Sequence, residues 1–446
     1  PALHGCFARW EPVKQYPHYT PSGVAWLGDV PGHWEVVKIK HLAALVGAKI
    51  DGTDAGLPYV GLEHVQSGTG QFVKDMEGMQ TEAESTVNTF QTGDVLFGKL
   101  RPYLAKAVVA ESHGICSSEF LVLRPNDMNS AYLRSSLLLD GFIKTVDAAT
   151  FGSKMPRADW TFISQLRSLK PPPDEQQAIA TYLDTETARI DALIREKEGL
   201  VRLLGEYRQS VASDAVIRGL NPNCQMTHVD GGFRSIPMHW QMISLKRFVR
   251  VTGGHTPSTE NPNYWDGDIP WVSPKDMKRE EMFDSIDHVT DAALTDCGLA
   301  KIEEGATLVV VRGMILAHSF PVAINKVPVT INQDMKAIRP VDKVLPEYLP
   351  WLLRGVKSVI LSLTEQSAHG TLALRTDKFF GEALPIPPTA EQSAIVEFLS
   401  VELPRIDELV AHTAKEITLL KELRAATIAD AVLGRVDVRT HSATAA

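Results

Sequence analysis

The chain is poor in cysteine: Cys6, Cys116, Cys224 and Cys297 are its four thiols, and no two lie close in sequence. This spacing excludes a CxxC zinc site and a disulfide framework, and it points to a reducing cytoplasm. Long apolar runs are missing too. None approaches the ~20 residues needed to cross a bilayer, so no membrane partner is expected. The opening stretch, PALHGCFARWEPVKQYPHYT, lacks the basic-then-apolar pattern of an export signal, which again predicts a cytoplasmic protein.

A basic excess is absent as well. The formal charge is −9, which by itself disfavours a nucleic-acid binder, because such domains are usually basic. The location of the charge changes that reading. Residues 174–219 hold nine acids and six bases, and residues 390–436 hold eight acids and five bases. These two segments carry −6 of the −9, so the rest of the chain is close to neutral and free to meet phosphate. With 44% apolar and 22% charged residues the composition is that of a globular protein, and 446 residues predict two or more domains.

What the chain does have is a repeat. EQQAIATYLDTETARIDALI, from Glu175, returns as EQSAIVEFLSVELPRIDELV, from Glu391, an offset of 216. The match runs without a gap from Glu175–Gly219 to Glu391–Arg435 and includes Arg189-Ile190-Asp191 with Arg405-Ile406-Asp407. Weaker echoes keep the same order. VPGHWEV (30–36) returns as IPMHWQM (236–242), CSSEFLVLRP (116–125) as INQDMKAIRP (331–340), and GSKMPRAD (152–159) as GTLALRTD (370–377), with offsets of 206, 215 and 218. An ordered set of this kind is the mark of tandem duplication. Each copy is a variable region of roughly 150 residues followed by a shared segment of about 45.

The shared segment has helical heptads. Alternating steps of four and three from Ile179 pass through Leu183, Glu186, Ile190, Leu193, Lys197, Leu200, Leu204, Tyr207 and Val211. The second copy gives Ile395, Leu399, Glu402, Ile406, Leu409, Thr413, Glu416, Leu420, Leu423 and Thr427. Such a pattern predicts a coiled coil. Pro171–Pro173 and Pro387–Pro388 mark the two starts, RGLNPN (218–223) stops the first helix, and Pro404 is expected to kink or break the second. A helix of ~44 residues is ~65 Å long, too long for a domain of this size to wrap, so pairing with its own second copy is expected. The plainer alternative is two ordinary surface helices of an α-rich fold.

The variable regions mix patterns. GDVLFGKL (93–100), EFLVLRP (119–125), ATLVVVRG (306–313) and MKAIRP (335–340) predict strands, while residues 130–146 and 346–363 have helical spacing, giving α+β domains. Their loops carry donors. The candidates are Lys99, Arg101, Lys106, Ser117, Ser118, Ser153, Lys154 and Arg157 in the first region. In the second they are His255, Thr256, Ser258, Ser273, Lys275, Arg312, Asn332, Gln333, Thr371 and Arg375. GGHTPS (253–258) and the Gly-hydroxyl-x-x-x-Arg pattern combine bare backbone with a cation, which suits a phosphate or a base edge. Each of these residues could equally be a turn former or a solvated charge. Trp34 and Trp240 are expected to anchor the start of each domain's core.

Catalytic signatures are missing. There is no GxxxxGK[ST], no GxGxxG after a strand, no HExxH and no GxSxG. NPNYW (261–265) invites comparison with the Asn-Pro-Pro-Tyr loop of adenine-amino methyltransferases, but Asn263 replaces the second proline and no glycine-rich cofactor loop precedes it. Asp266 and Asp268 form a carboxylate pair too common to specify a site. No catalytic residue, metal or cofactor is therefore expected in this chain.

Two variable domains, two repeated helical segments and the IP-x-HW lead-in resemble the specificity subunit of a type I restriction-modification system. VPGHWEV, GDVLFGKLRPYLAK, GICSSEF, GSKMPR and PPPDEQQAIATYLD carry the resemblance in the first copy, and TGGHTPS, DIPWVSPKDM, VRG, INQDMKAIRP and PIPPTAEQSAIVEFL in the second. It covers about Val30 to Val436 and departs at Pro404 and in the first twenty residues, which have no counterpart. It implies two pseudo-symmetric target-recognition domains joined by two long antiparallel helices in a coiled-coil rod. The division is 1–168 and 223–383 for the domains (with 1–20 as an extension), 169–222 and 384–436 for the helical spacers, and 437–446 for a tail. Each domain would read one half of a split site in double-stranded DNA. The rod would set their separation and dock two methyltransferase subunits, with restriction and translocase subunits as further partners. Ile179, Leu183, Ile190, Leu193, Leu204, Ile395, Leu399, Ile406, Leu409 and Leu420 are the candidate partner-binding positions. S-adenosylmethionine, ATP and Mg²⁺ would belong to the partners. Two other readings stand beside this one: an unrecognised methyltransferase or nuclease, and a coiled-coil adaptor that never touches DNA.

Overall fold

The structure, a computed structural model, describes residues 14–51, 56–73, 86–152, 154–229, 232–366 and 371–439. Ser153 and most of the proposed extension and tail lie outside the described residues. The chain divides into two compact units, residues 1–197 with 416–446, and residues 198–415. Two helices dominate the order of elements, Pro173–Arg218 and Thr389–Val432. Each gives one end to either unit.

The first unit has a four-stranded sheet in the order Ala43–Leu45, Phe120–Pro125, Val95–Gly98, Ala107–Val109. A second sheet orders Lys49–Asp51, Thr86–Phe90, Gly114–Cys116 and Tyr59–Val60. The apolar runs read from the sequence form the central strands of the first sheet, and Val95, Phe97, Leu121 and Leu123 are buried in the main core. Residues 130–146 fold as two helices, Ser130–Leu137 and Asp140–Ala148, the first capped by the Asn129 side chain. The second unit repeats the plan. Val249–Gly253, Met335–Pro340, Thr307–Val310, Val322–Asn325 and Glu281–Met282 form its five-stranded sheet, and helix Tyr348–Gly355 covers the core.

Hydrogen bonds fix the register of the repeat more sharply than sequence similarity does. In the first unit Arg101 N–H donates to Pro156 O (2.8 Å) and Ala158 N–H to Lys99 O (2.9 Å). In the second, Gly313 N–H donates to Leu372 O (2.9 Å) and Leu374 N–H to Val311 O (2.8 Å). Ala158 therefore corresponds to Leu374, an offset of 216 rather than the 218 read from the short motif. Arg157 stands where Ala373 stands. The counterpart of Arg375 is Asp159, and both occupy the position before a short helix. A two-residue slip costs little in a faint sequence match; backbone pairing does not permit it. The first twenty residues also need correcting. Tyr19–Pro21 pairs with Asp29–Pro31 as Met226–His228 pairs with Ser235–Pro237, so part of that stretch belongs to the repeat.

The long helices meet within each unit and run antiparallel there. In the first unit Asp191 faces Arg424 and Lys197 faces Glu416; in the second, Arg208 faces Asp407. The seam differs in phase from the one predicted. Ile190 and Ile194 are buried while Leu193 is exposed, and Arg208 turns inward while Tyr207 is exposed. Likewise Leu409 and Leu423 are exposed and Arg424 is buried, whereas Thr413 is buried as the predicted seam has it. A 3.5-residue period permits either a three or a four after Ile190, and the helix takes the four. Ile179 and Leu183 pack into the first domain's core, and Ile395, Leu399 and Ile406 into the second's, so these helix segments are structural parts of the domains. Such fully buried aliphatics each contribute about 2 kcal/mol. Pro404 does not interrupt its helix. It and Ser400 are exposed, so the carbonyl that lost its donor can turn to water.

Candidate nucleic-acid interface

Both units fasten the long helix to the domain by the same device. Trp34 Nε1 donates to Glu175 Oε2 (2.9 Å), and His33 Nε2 lies 2.7 Å from Glu175 Oε1. Trp240 Nε1 donates to Glu391 Oε2 (3.0 Å), and His239 Nε2 lies 2.6 Å from Glu391 Oε1. Both tryptophans are buried, as expected of core anchors. The neighbouring amides do the same work: Gln176 accepts from Asn129 N–H (2.7 Å) and donates to Pro171 O (2.8 Å), while Gln392 accepts from Leu345 N–H (2.8 Å) and donates to Pro387 O (2.8 Å). The first knot is more closed. Tyr16 OH donates to Glu175 (3.0 Å) and Arg439 approaches it (3.4 Å), whereas His239 Nδ1 of the second faces Cys224 Sγ at 3.7 Å. Each domain is thus keyed to a helix terminus. The HW and EQ motifs were both visible as repeats, but no sequence rule says that they meet.

In the first unit several candidate residues converge. Lys99 N–H donates to Glu119 O (2.9 Å), and Ser117 N–H to Val60 O (3.0 Å). Arg157 bonds Glu119 through Nη2 (2.8 Å) and Nε (3.1 Å). Strand ends 99–101, loop 117–119 and segment 154–158 therefore form one surface. Ser117 is buried and shapes the loop, its hydroxyl accepting from Glu119 N–H (3.3 Å). Ser118 is half-buried, and Lys106 is tied to Leu62 O (2.6 Å) away from this surface. Arg101 and Lys154 are exposed, and neither they nor Lys99 make an ion pair among the described residues. Arg101 has φ 51°, an uncommon conformation for a residue with a Cβ.

The second unit gathers a matching set. His255 N–H donates to Ile331 O (3.0 Å), Asn332 N–H to Val272 O (3.0 Å), and the Thr256 hydroxyl to Gln333 Oε1. Arg312 lies 3.7 Å from Asp334, the counterpart of Glu119. Gly254 allows the close approach, since a Cβ there would lie 2.0 Å from Asn332 O. His255, Gln333 and Arg312 are exposed. Asn332 and Ser273 are buried: Asn332 accepts from Asp334 N–H (3.1 Å), and the Ser273 hydroxyl donates to Asp276 (2.7 Å). Ser258 is exposed and its hydroxyl accepts from Glu260 N–H (3.4 Å), and Lys275 pairs with Asp287 (2.6 Å). Thr371 is half-buried, and Arg375 is exposed and held by Asp377 (2.6 Å), whose carboxyl it pulls down to about 2. Sequence reasoning passed over Glu119 and Asp334. Their signal was their shared place one residue after the Ser-Ser and Asn-Gln pairs.

Among the described residues no group of three or more His, Cys, Asp or Glu could hold a metal, and no helix is long and apolar enough to cross a membrane. Cys116 is buried, which raises its thiol to about 12 and leaves it unreactive at neutral pH.

The chain is a duplicated α+β protein with paired helices and an exposed polar surface in each unit. The type I restriction modification DNA specificity domain matches residues 237–419. The chain is 36% identical over 168 residues to the EcoR124I/EcoR124II specificity subunit of Escherichia coli, a match covering 37% of this chain and 41% of the relative. It is 32% identical over 192 residues to the MjaIX specificity subunit of Methanocaldococcus jannaschii, covering 42% of each. These matches span about two fifths of the relatives' length. A chain solved in work on complex assembly and conformational transition of a type I R-M system shares the fold, with a TM-score of 0.72 at 18% identity over 90% of this chain and 98% of that one. The chain is thus similar to type I restriction-modification specificity subunits over part of its length and shares its fold with a chain of a type I R-M system.

Proposed function

We propose that this chain is the DNA-recognition and assembly subunit of a type I restriction-modification complex and carries no chemistry of its own. Each unit reads one half of a bipartite site, and the helices set the spacing. One observation carries this reading: duplicated elements build a donor-rich surface in either unit, Lys99, Arg101 and Arg157 in one and His255, Gln333 and Arg312 in the other, drawn from different positions of the repeat. Phosphate contacts would position the domains and base-edge contacts would specify.

Docking of two methyltransferase subunits falls to the outward helix positions rather than the buried seam. Leu193, Leu203 and Tyr207 on the first helix are exposed, as are Leu409, Leu419 and Leu423 at the same repeat positions on the second. Ile179, Leu183, Ile190, Ile395, Leu399 and Ile406 are buried within their own units and cannot face a partner; Leu204 and Leu420 are half-buried. The partners supply S-adenosylmethionine-dependent adenine methylation and, with restriction subunits, ATP- and Mg²⁺-dependent translocation and cleavage, all in the cytoplasm.

Methylated adenines are to be mapped in a host expressing this chain and its partners. A single split motif that vanishes when this chain is deleted is the expected result; turnover of labelled S-adenosylmethionine by the pure, partner-free chain would overturn the proposal.

A further inference from the structure

In the first unit Phe151 and Arg157 pair through two backbone bonds (3.2 and 3.4 Å). The Arg157–Glu119 ion pair and the bond from Arg101 N–H to Pro156 O brace this pairing. Phe151 nevertheless leaves its ring 63% exposed, the neighbouring Met155 is exposed, and so is Tyr103 on the adjoining turn Pro102–Leu104. Large apolar side chains on a braced loop add nothing to the core, and they cost solvation. Here they sit among Lys99, Arg101 and Lys154, cations without an ion pair among the described residues, so the surface is complementary to a polyanion with a stackable interior. A protein partner would leave those cations to be desolvated; duplex DNA supplies phosphates for them and base steps for the rings.

We infer, resting on the DNA reading above, that Phe151 is a wedge that enters the base stack of the half-site read by the first unit, with Arg101 and Lys154 gripping the flanking phosphates. Apolar wedges partly unstack a step and kink the duplex, and a distorted step lowers the cost of extruding a base for chemistry by a partner enzyme. The second unit lacks this device at the matching position. Glu365 stands opposite Ala373 where Phe151 stands opposite Arg157, and Lys378 holds it at 2.7 Å. The distortion is therefore confined to one half of the site.

The test uses the full complex of this chain with its modification subunits. The probe is a duplex carrying the site mapped by methylation, with 2-aminopurine placed at successive positions of each half. Wild-type complex should brighten the probe at one step of one half-site. Phe151→Ala should abolish that signal and weaken binding about 10-fold, the scale of losing one aromatic–base stack. Phe151→Trp should keep both, and a duplex already abasic at that step should bind wild type and Phe151→Ala equally. Equal affinity and equal brightening for Phe151→Ala on the intact duplex would overturn the wedge and leave the DNA reading standing. If the wild-type complex shows no salt-dependent binding to the mapped duplex, the DNA reading itself falls.

Discussion

Arg424 grips Asp191 with two hydrogen bonds, Nε to Oδ1 at 2.8 Å and Nη2 to Oδ2 at 3.2 Å, and the duplication repeats the pair as Arg208 and Asp407 at 2.7 and 3.2 Å. Each arginine comes from one repeat and its aspartate from the other. Each also reaches into its own domain: Arg424 to Thr69 O (3.2 Å), Arg208 to Glu280 (2.8 Å). The Arg424 pair is the more buried, and breaking a buried pair strands a charge. Arg424→Ala should cost about 3 kcal/mol in chemical denaturation. Arg208→Ala should cost roughly 1 kcal/mol, because its partners are more exposed.

The two carboxylate knots should respond unequally to the same substitution. Glu175 is 4% exposed and receives Trp34, His33 and Tyr16, whereas Glu391 is 40% exposed. Glu175→Ala leaves buried donors unsatisfied and should destabilise by about 3 kcal/mol. Glu391→Ala should cost roughly 1 kcal/mol, since water can reach the freed groups. Equal losses in unfolding experiments would show that burial is not the deciding term.

Arg101→Ala and Lys154→Ala should each reduce the salt slope of DNA binding by the complex by about one, the mark of a lost phosphate contact. Arg157→Ala should weaken binding further, because it also frees Glu119 as an uncompensated carboxylate facing the duplex. Arg375→Ala tests the second unit in the same assay.

Removing seven residues from the middle of both long helices preserves the heptad phase and shortens each by ~10 Å. The gap between half-sites should change by about three base pairs with the half-site sequences unaltered, read by methylation mapping. Unchanged spacing would show that the helices are not the ruler.

Asp377 gives a pH prediction. Its hydrogen bond to Arg375 holds the folded carboxyl at about 2, below the ordinary 3.8, so the contact stabilises above pH 3.8 and is lost as pH falls towards 2. Chemical-shift titration should show no transition of Asp377 between pH 5 and 8, and Arg375→Ala should return its midpoint to about 4.

Much of this was legible in the sequence: the duplication, the central strands, the α+β character and the two long helices. Four things were not. The seam phase failed at Leu193 and Leu409, because apolar residues flank both sides of the inward stripe and a 3.5 period does not choose between Leu193 and Ile194. The match of Arg157 with Arg375 failed because motif spacing cannot outrank a strand register set by hydrogen bonds. The clusters around Glu119 and Asp334 were half-seen: cations and hydroxyls advertise themselves as donors, whereas the acids that brace them look like surface charge. Sequence also could not separate Arg101 from Lys106, one exposed and the other bound to Leu62 O.

The first unit draws Ala431, Val432, Leu433 and Val438 into the same core as Leu27, Trp34 and Leu123, while the core of the second is built from residues 212–406. Synthesis on the ribosome proceeds from the amino end. The domain translated first must therefore wait, with part of its apolar interior bare, until the whole of the other has emerged and can fold. A nascent chain that has emerged only as far as about residue 415 would hold a finished second domain and an unfinished first one, and would be the natural client of a holding chaperone.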